Sequence, residues 1–254
     1  MEILPKLPND SIDLTLTSPP YDNLRDYKGF DFDFPFLVKE LWRLTKKGGV
    51  LVWVIGDATI NGSETGSSFR QALAFKDAGF NLHDTMVYEK SGFAFPSTNR
   101  YHQIFEFMFV FSKGNPKTFN PIKDKPNKSE YTFSKKRRRV DGTMDHENDT
   151  SRIAIEPYGM RTNIWRYKTG RGHSAQDDIA YNHPAIFPEE LAKDHILSWT
   201  NPGDNVNPGD IVLDPMCGSG TTVKMAKILG RSFIGIDVSK EYCEIAQARL
   251  SKIR

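Results

Sequence analysis

Val50-Leu51-Val52-Trp53-Val54-Ile55 is an uninterrupted apolar run of strand length. A strand with one wet face alternates apolar and polar residues, so a run without alternation fits a strand covered on both faces. The flanking segments can supply that cover. Phe36, Leu37, Glu40, Leu41 and Leu44 have helical spacing, and Lys46-Lys47-Gly48-Gly49 reads as a basic last turn with a glycine stop. Ser67-Ser68 can cap a helix through Ala78, ending at Gly79, and strand-like runs return at Thr85 to Tyr88 and Ile104 to Phe111. Near the start, Leu14-Thr15-Leu16-Thr17 reads as a short strand that must stop at Pro19-Pro20, which lack backbone donors. Toward the end come a helix from Pro188 to Trp199, strand Ile211 to Leu213, a glycine loop, helix Thr222 to Leu229, strand Ser232 to Ile236 and helix Lys240 to Ser251. This alternation predicts an α/β fold, a parallel sheet with helices on both faces.

At 254 residues the chain suits one domain carrying an insertion better than two full domains. From Ser112 to Gly172 no period is sustained, and a plain loop of that length is uncommon in a compact domain. The expected division is therefore 1–111 and 173–254 as two halves of one domain, with 112–172 inserted. Net charge is only +2, but from Lys113 to Arg139 ten basic residues face two acidic ones, Asp124 and Glu130. Lys135-Lys136-Arg137-Arg138-Arg139 can neutralise phosphates, and Tyr131, Phe133, Tyr158, Trp165 and Tyr167 are interleaved aromatics. Cys217 and Cys243 are too few for a disulfide framework and lack metal-ligand company, which predicts a cytoplasmic chain without metal. With no apolar run near 18 residues and no signal peptide, no membrane role is expected.

Two segments carry chemistry. In Asp214-Pro215-Met216-Cys217-Gly218-Ser219-Gly220-Thr221-Thr222, the glycines let a backbone turn tightly between strand and helix, bringing amides and a positive helix end to a ligand. Asp237, at the end of the next apolar strand, can accept from ribose hydroxyls. No Gly-Lys-Ser/Thr closes the loop, so a nucleoside triphosphate does not fit. The other segment is Thr17-Ser18-Pro19-Pro20-Tyr21, at a strand's carboxyl end.

Together and in this order, the two segments resemble the amino-methylating DNA methyltransferases of the beta class, over nearly the whole chain. The resemblance implies a Rossmann-like S-adenosylmethionine methyltransferase sheet, with a DNA-reading region between the catalytic and cofactor segments. It assigns Ser18 and Pro19 as acceptors for an exocyclic amine, Pro20 as the rigid support of the Pro19 carbonyl, and Tyr21 as a stacking face for a base outside the duplex. On the cofactor side it points to Thr17, Asp214, Pro215, Met216, Cys217, Gly218, Ser219, Gly220, Thr221 and Asp237. From His183-Pro184-Ala185-Ile186-Phe187-Pro188 it adds Phe187 and Pro188 around the methionine end, with His183 as readily structural as ligating. Arg161-Thr162-Asn163-Ile164-Trp165-Arg166 resembles a family segment beside the sheet.

Relatives with Ser where Ser18 stands resemble N4-cytosine enzymes, whereas adenine enzymes usually have Asp or Asn. Cytosine N4 is therefore the expected target, with adenine N6, or RNA or a protein amide, as alternatives. A catalytically inactive DNA-binding protein is a further alternative: family members usually place a strand ending in an acidic residue, near the cofactor's adenine, ahead of a segment like Met1 to Leu16, and this chain begins after it. Cytosine carbon-5 enzymes use a Pro-Cys nucleophile, but Cys217 follows Met216 inside the glycine loop, so no covalent role is expected. The expected partners are double-stranded DNA and, at most, a second copy of the chain.

Overall fold

The structure is a computed structural model and describes residues 2–20, 33–92, 98–133, 140–143 and 152–253. They fall into two units, Met1–Asn120 with Asn163–Arg254, and Pro121–Thr162. In chain order the first unit holds β1 (Ile12–Thr17), α1 (Phe34–Leu44), β2 (Thr45–Ile55), the hairpin strands β3 (Thr59–Ile60) and β4 (Ser63–Glu64), α2 (Ser67–Asp77), β5 (Asn81–Lys90) and β6 (Phe105–Ser112). The second unit holds β7 (Lys123–Pro126), β8 (Tyr131–Phe133), β9 (Arg152–Ala154) and β10 (Tyr158–Met160). The first unit resumes with β11 (Ile164–Tyr167), α3 (Glu189–Trp199), β12 (Ile211–Asp214), α4 (Thr221–Ile228), β13 (Ser232–Gly235) and α5 (Lys240–Ser251).

Seven strands form one sheet in the order β11-β5-β6-β2-β1-β12-β13. β2, β1, β12 and β13 run parallel. From β1 the chain steps to β2 on one side, and from β12 it steps to β13 on the other. Right-handed crossovers in opposite directions put α1 and α4 on opposite faces. Val50 to Ile55 are consequently buried throughout. Burial of Leu37, Leu41 and Leu44 explains the helical spacing of α1.

Three local expectations are corrected. The sheet is mixed, because β6 runs antiparallel to both β2 and β5. Among the described residues no helix separates β5 from β6, and a parallel step would need a crossover long enough to return the chain. Secondly, α1 does not stop at Gly48-Gly49. It ends at Leu44 because Thr45 pairs with Ile12 in the sheet, its hydroxyl donating to the Leu41 carbonyl at 2.6 Å. Gly48, at φ +82°, then makes a bend inside β2 where a side chain would strike Lys117. Thirdly, Ser67 and Ser68 are the first residues of α2, and the helix start is capped from elsewhere in the chain, as described below.

The segment from Arg161 to Arg166 is partly scaffold, since Ile164–Tyr167 forms the edge strand parallel to β5 and buries Trp165 and Tyr167. In the second unit, β7 pairs antiparallel with β10 and β8 with β9. The Asn127 amide donates to the Pro157 carbonyl and the Ile155 amide to the Glu130 carbonyl, which joins these pairs into one two-stranded ribbon. No helix among the described residues is long and apolar enough to cross a membrane.

Candidate active site

In an open parallel sheet, loops at the carboxyl ends of the strands part where the chain changes direction, leaving a crevice. Here that point lies between β1 and β12, which pair directly through Leu14 with Val212 and Thr15 with Leu213. One loop there is Ser18 to Pro20 and the other is Pro215 to Gly220. Both line a single cleft of about 1600 Å³, which Gly56, Asp57, Asp237, Tyr242 and the segment His183 to Phe187 also border. Pockets for one small ligand run to roughly 300–1,000 Å³, so this cleft has room for two.

The two loops are locked together from below. Thr17, fully buried, donates its hydroxyl proton to Asp214 Oδ1 at 2.7 Å, and the Met216 amide donates to the same oxygen at 3.2 Å. Thr222, in the first turn of α4, donates to the Leu16 carbonyl at 3.2 Å. Among the described residues no cation pairs with Asp214, and its burial pushes the carboxyl up to about 6, against the hydrogen bonds from Thr17 and the Met216 amide. The neighbouring Asp237 charge adds to the rise.

The glycines have separate duties. Gly220, at φ +80°, starts α4, and a Cβ there would lie 2.6 Å from the Ala246 side chain of α5. Gly218 brings the loop against the His183 ring, where a Cβ would lie 2.7 Å from Nε2. That ring packs edge-on to Tyr242 at 4.3 Å, and its Nδ1 lies 2.5 Å from the Ala185 carbonyl. Asp237 accepts from the Gly218 amide at 2.8 Å and from the Ser239 amide at 2.9 Å. It thus holds the loop as well as facing the cleft, and a carboxylate with about four acceptor directions keeps some for a ligand.

Behind the loop lies a buried set of charges that sequence reasoning missed. Arg249, fully buried in α5, donates to the Ser219 carbonyl at 2.6 Å and to Glu189 Oε1 at 2.6 Å. Its Nε lies 2.8 Å from Asp177 Oδ1, an ion contact off the hydrogen-bond direction. Lys224 bridges the same two carboxylates at 2.5 and 2.6 Å. Burial alone would raise the Asp177 carboxyl, but Lys224 and Arg249 outweigh it and hold it below the usual range. Four charged residues spread from 177 to 249 leave no local pattern, so only the fold could bring them together.

On the opposite wall, Asp57 follows β2 and supplies the cap that α2 lacks. It accepts from the Ser68 amide at 2.9 Å and the Ser68 hydroxyl at 2.5 Å, with Ser67 and Thr65 at 3.3 Å. Burial would push this carboxyl up, yet these donors hold it below its ordinary value.

Of the expected site residues, Ser18, Pro20, Asp214, Pro215, Met216, Cys217, Gly218, Ser219, Thr221, Asp237 and Phe187 line the cleft. Thr17 sits beneath it, Pro19 is buried, Gly220 faces α5 and Pro188 is the residue before α3. Burial and the charges of Asp214 and Asp237 push the Cys217 thiol well above its ordinary range, which keeps it a protonated, poor nucleophile. Tyr21 and the run Lys135 to Arg139 lie outside the described residues.

Comparison with known proteins identifies the family. An orphan methyltransferase of Bacillus amyloliquefaciens, M.BamHII, is 55% identical over 245 residues, covering 94% of this chain and 89% of its own. The DNA adenine methyltransferase YhdJ of Escherichia coli strain K12 is 28% identical, covering 97% of this chain and 79% of its own. Among solved structures, the PvuII DNA methyltransferase described as cytosine-N4-specific superposes with a TM-score of 0.67 at 20% identity, over 98% of this chain and 82% of that one, which is a likeness of fold. The family model described as DNA methylase, of the N6/N4 type, matches residues 12–248, and the chain belongs to that family.

Proposed function

We propose that this DNA methylase transfers a methyl group from S-adenosylmethionine to the exocyclic N4 amine of a cytosine turned out of duplex DNA. The observation that carries this reading is the shared cleft: Ser18 and Pro20 border the same space as Asp214, Gly218 and Asp237.

The donor set suits that cofactor. Asp214, a buried carboxylate that no cation pairs with among the described residues, complements a ligand bearing positive charge, and Asp237 has acceptor capacity for ribose hydroxyls. Asp214, Asp237 and the Gly218 to Thr221 loop would hold it, with Phe187 on the methionine side. When bound, S-adenosylmethionine supplies a methyl group on a positively charged sulfur that leaves as a neutral thioether.

The chain's own work is on the amine. Its lone pair is delocalised into the base ring, which makes it a weak nucleophile. The Ser18 hydroxyl and the Pro19 carbonyl accept the amine hydrogens and favour the more tetrahedral nitrogen of the transition state. Pro20 fixes the Pro19 carbonyl, and Tyr21 stacks on the base. The large cleft accommodates both ligands, and the deep Cys217 thiol takes no part.

Cytosine is favoured because Ser18 offers a neutral hydroxyl where adenine enzymes usually carry Asp or Asn. We also assign DNA contact to the insertion 112–172. In its ribbon, Lys123, Lys125 and Lys128 are exposed, and Tyr131 and Tyr158 stand open beside them. Lys135 to Arg139 continue the same basic character.

The test is nucleoside analysis. Unmethylated duplex DNA is incubated with the protein and S-adenosylmethionine, digested, and examined by mass spectrometry. N4-methylcytosine is expected. N6-methyladenine alone would overturn the choice of base, and no methylated nucleoside, in protein that binds cofactor, would overturn catalysis.

A further inference from the structure

The cleft has a second wall that the methyl-transfer reading leaves without a task. It is the segment Asn99 to Gln103, which lines the same cleft as Ser18 and Pro20. Within it, Tyr101 is 100% exposed, whereas Phe69, Phe119, Tyr131 and Tyr158 each keep about half of their surface covered. An aromatic ring with no protein cover gains by stacking on a partner, and here it stands at the mouth of a DNA-modifying cleft.

Its mount is built. The neighbouring Arg100 donates to the Gly62 carbonyl at 2.6 Å and to the Thr59 hydroxyl at 3.3 Å, both in the β3–β4 hairpin. That hairpin is closed by the Thr65 amide on the Ala58 carbonyl at 2.9 Å. Asp57 then ties Thr65 to the start of α2. Tyr101 is therefore an exposed ring on an anchored stem.

We propose that Tyr101 enters the duplex at the position vacated by the target base and stacks between the bases that flank it. The inference rests on the base-flipping reading above. Turning a base out of a duplex breaks its stacking on both neighbours, and an inserted ring restores part of that stacking. Mismatched or missing bases cost less to displace, so they should relieve the need for the ring.

The experiment measures binding by the full chain, with S-adenosylhomocysteine present, to two duplexes. Both carry the target sequence, read from DNA that the protein has methylated. One is fully paired, and the other has an abasic site in place of the target base. Wild type should favour the abasic duplex. Tyr101→Ala should bind the paired duplex roughly tenfold more weakly and the abasic one under about twofold more weakly, the scale of stacking on a single base. Tyr101→Phe should behave as wild type. Because the side chain is fully exposed, the fold should survive either change, and unaltered cofactor affinity verifies it. Equal weakening on both duplexes, or none on either, would overturn the proposal while leaving base flipping intact. A wild type without preference for the abasic duplex, or no methylated site at all, would overturn the flipping reading and this proposal with it.

Discussion

Thr17 and Asp214 lie 197 residues apart in sequence and share a 2.7 Å hydrogen bond in the core. It ties the end of the strand leading to Ser18 to the start of the glycine loop, so the two loops that border the cleft share one anchor.

Thr17→Val should expose this coupling. The shape is nearly kept, but a buried carboxylate is deprived of a donor, which typically costs about 1–3 kcal/mol. Urea unfolding should record a destabilisation on that scale, together with weaker cofactor binding. An unchanged midpoint would show that Asp214 needs no partner there.

The same carboxyl should leave a signature in pH. Its folded value is about 6, while an unfolded Asp titrates near ~3.9. Below about pH 4 both states hold the proton, and between pH 4 and 6 the unfolded chain releases it first. The stability contributed by this group is thus full below pH 4 and lost as pH rises through 6, by about 3 kcal/mol for two pKa units. Asp57 and Asp177, whose values are lowered, act oppositely, and their contribution is lost as pH falls. The measurement is therefore the difference in Tm between wild type and Asp214→Asn, which should shift in favour of the variant from pH 4 to pH 6.5. A difference independent of pH would contradict the assignment.

Arg249→Leu should be costly. Asp177 and Glu189 would share Lys224 alone, and unpairing a buried charge typically costs about 3–5 kcal/mol. The Ser219 carbonyl would also be left without its donor, so the Kd for S-adenosylmethionine should rise more than the rate of transfer falls at saturation. A normal Kd in folded protein would separate the charge cluster from the loop.

Much of this site was legible in the sequence because its signals are local. Val50 to Ile55 has no alternation, Pro19-Pro20 must end a strand, and Gly218 and Gly220 lie between a strand and a helix. The illegible parts depend on distant partners. Thr45 left its helix for a ladder with Ile12, Asp57 capped a helix starting ten residues later, and Ile164–Tyr167 became a strand only by pairing with β5. The charges at 177, 189, 224 and 249 are too far apart in sequence to form a local pattern, and only the fold brings them together.

For the basic run, replacing Lys135, Lys136, Arg137, Arg138 and Arg139 by Gln should weaken DNA binding at all sequences. It should also flatten the dependence of log K on log salt by about 0.9 for each phosphate that is no longer neutralised. An unaltered slope would mark the run as a bystander.

In the proposed reaction the site is divided, with Ser18 acting on the amine and the glycine loop on the cofactor. Single-turnover methyl transfer by Ser18→Ala, measured alongside calorimetry of S-adenosylmethionine binding, separates the two. Cofactor Kd should stay within about twofold of wild type while the transfer rate falls on the order of 10²-fold, the scale of one transition-state hydrogen bond removed. Transfer at the wild-type rate, or a slower rate matched by weaker cofactor affinity, would contradict it.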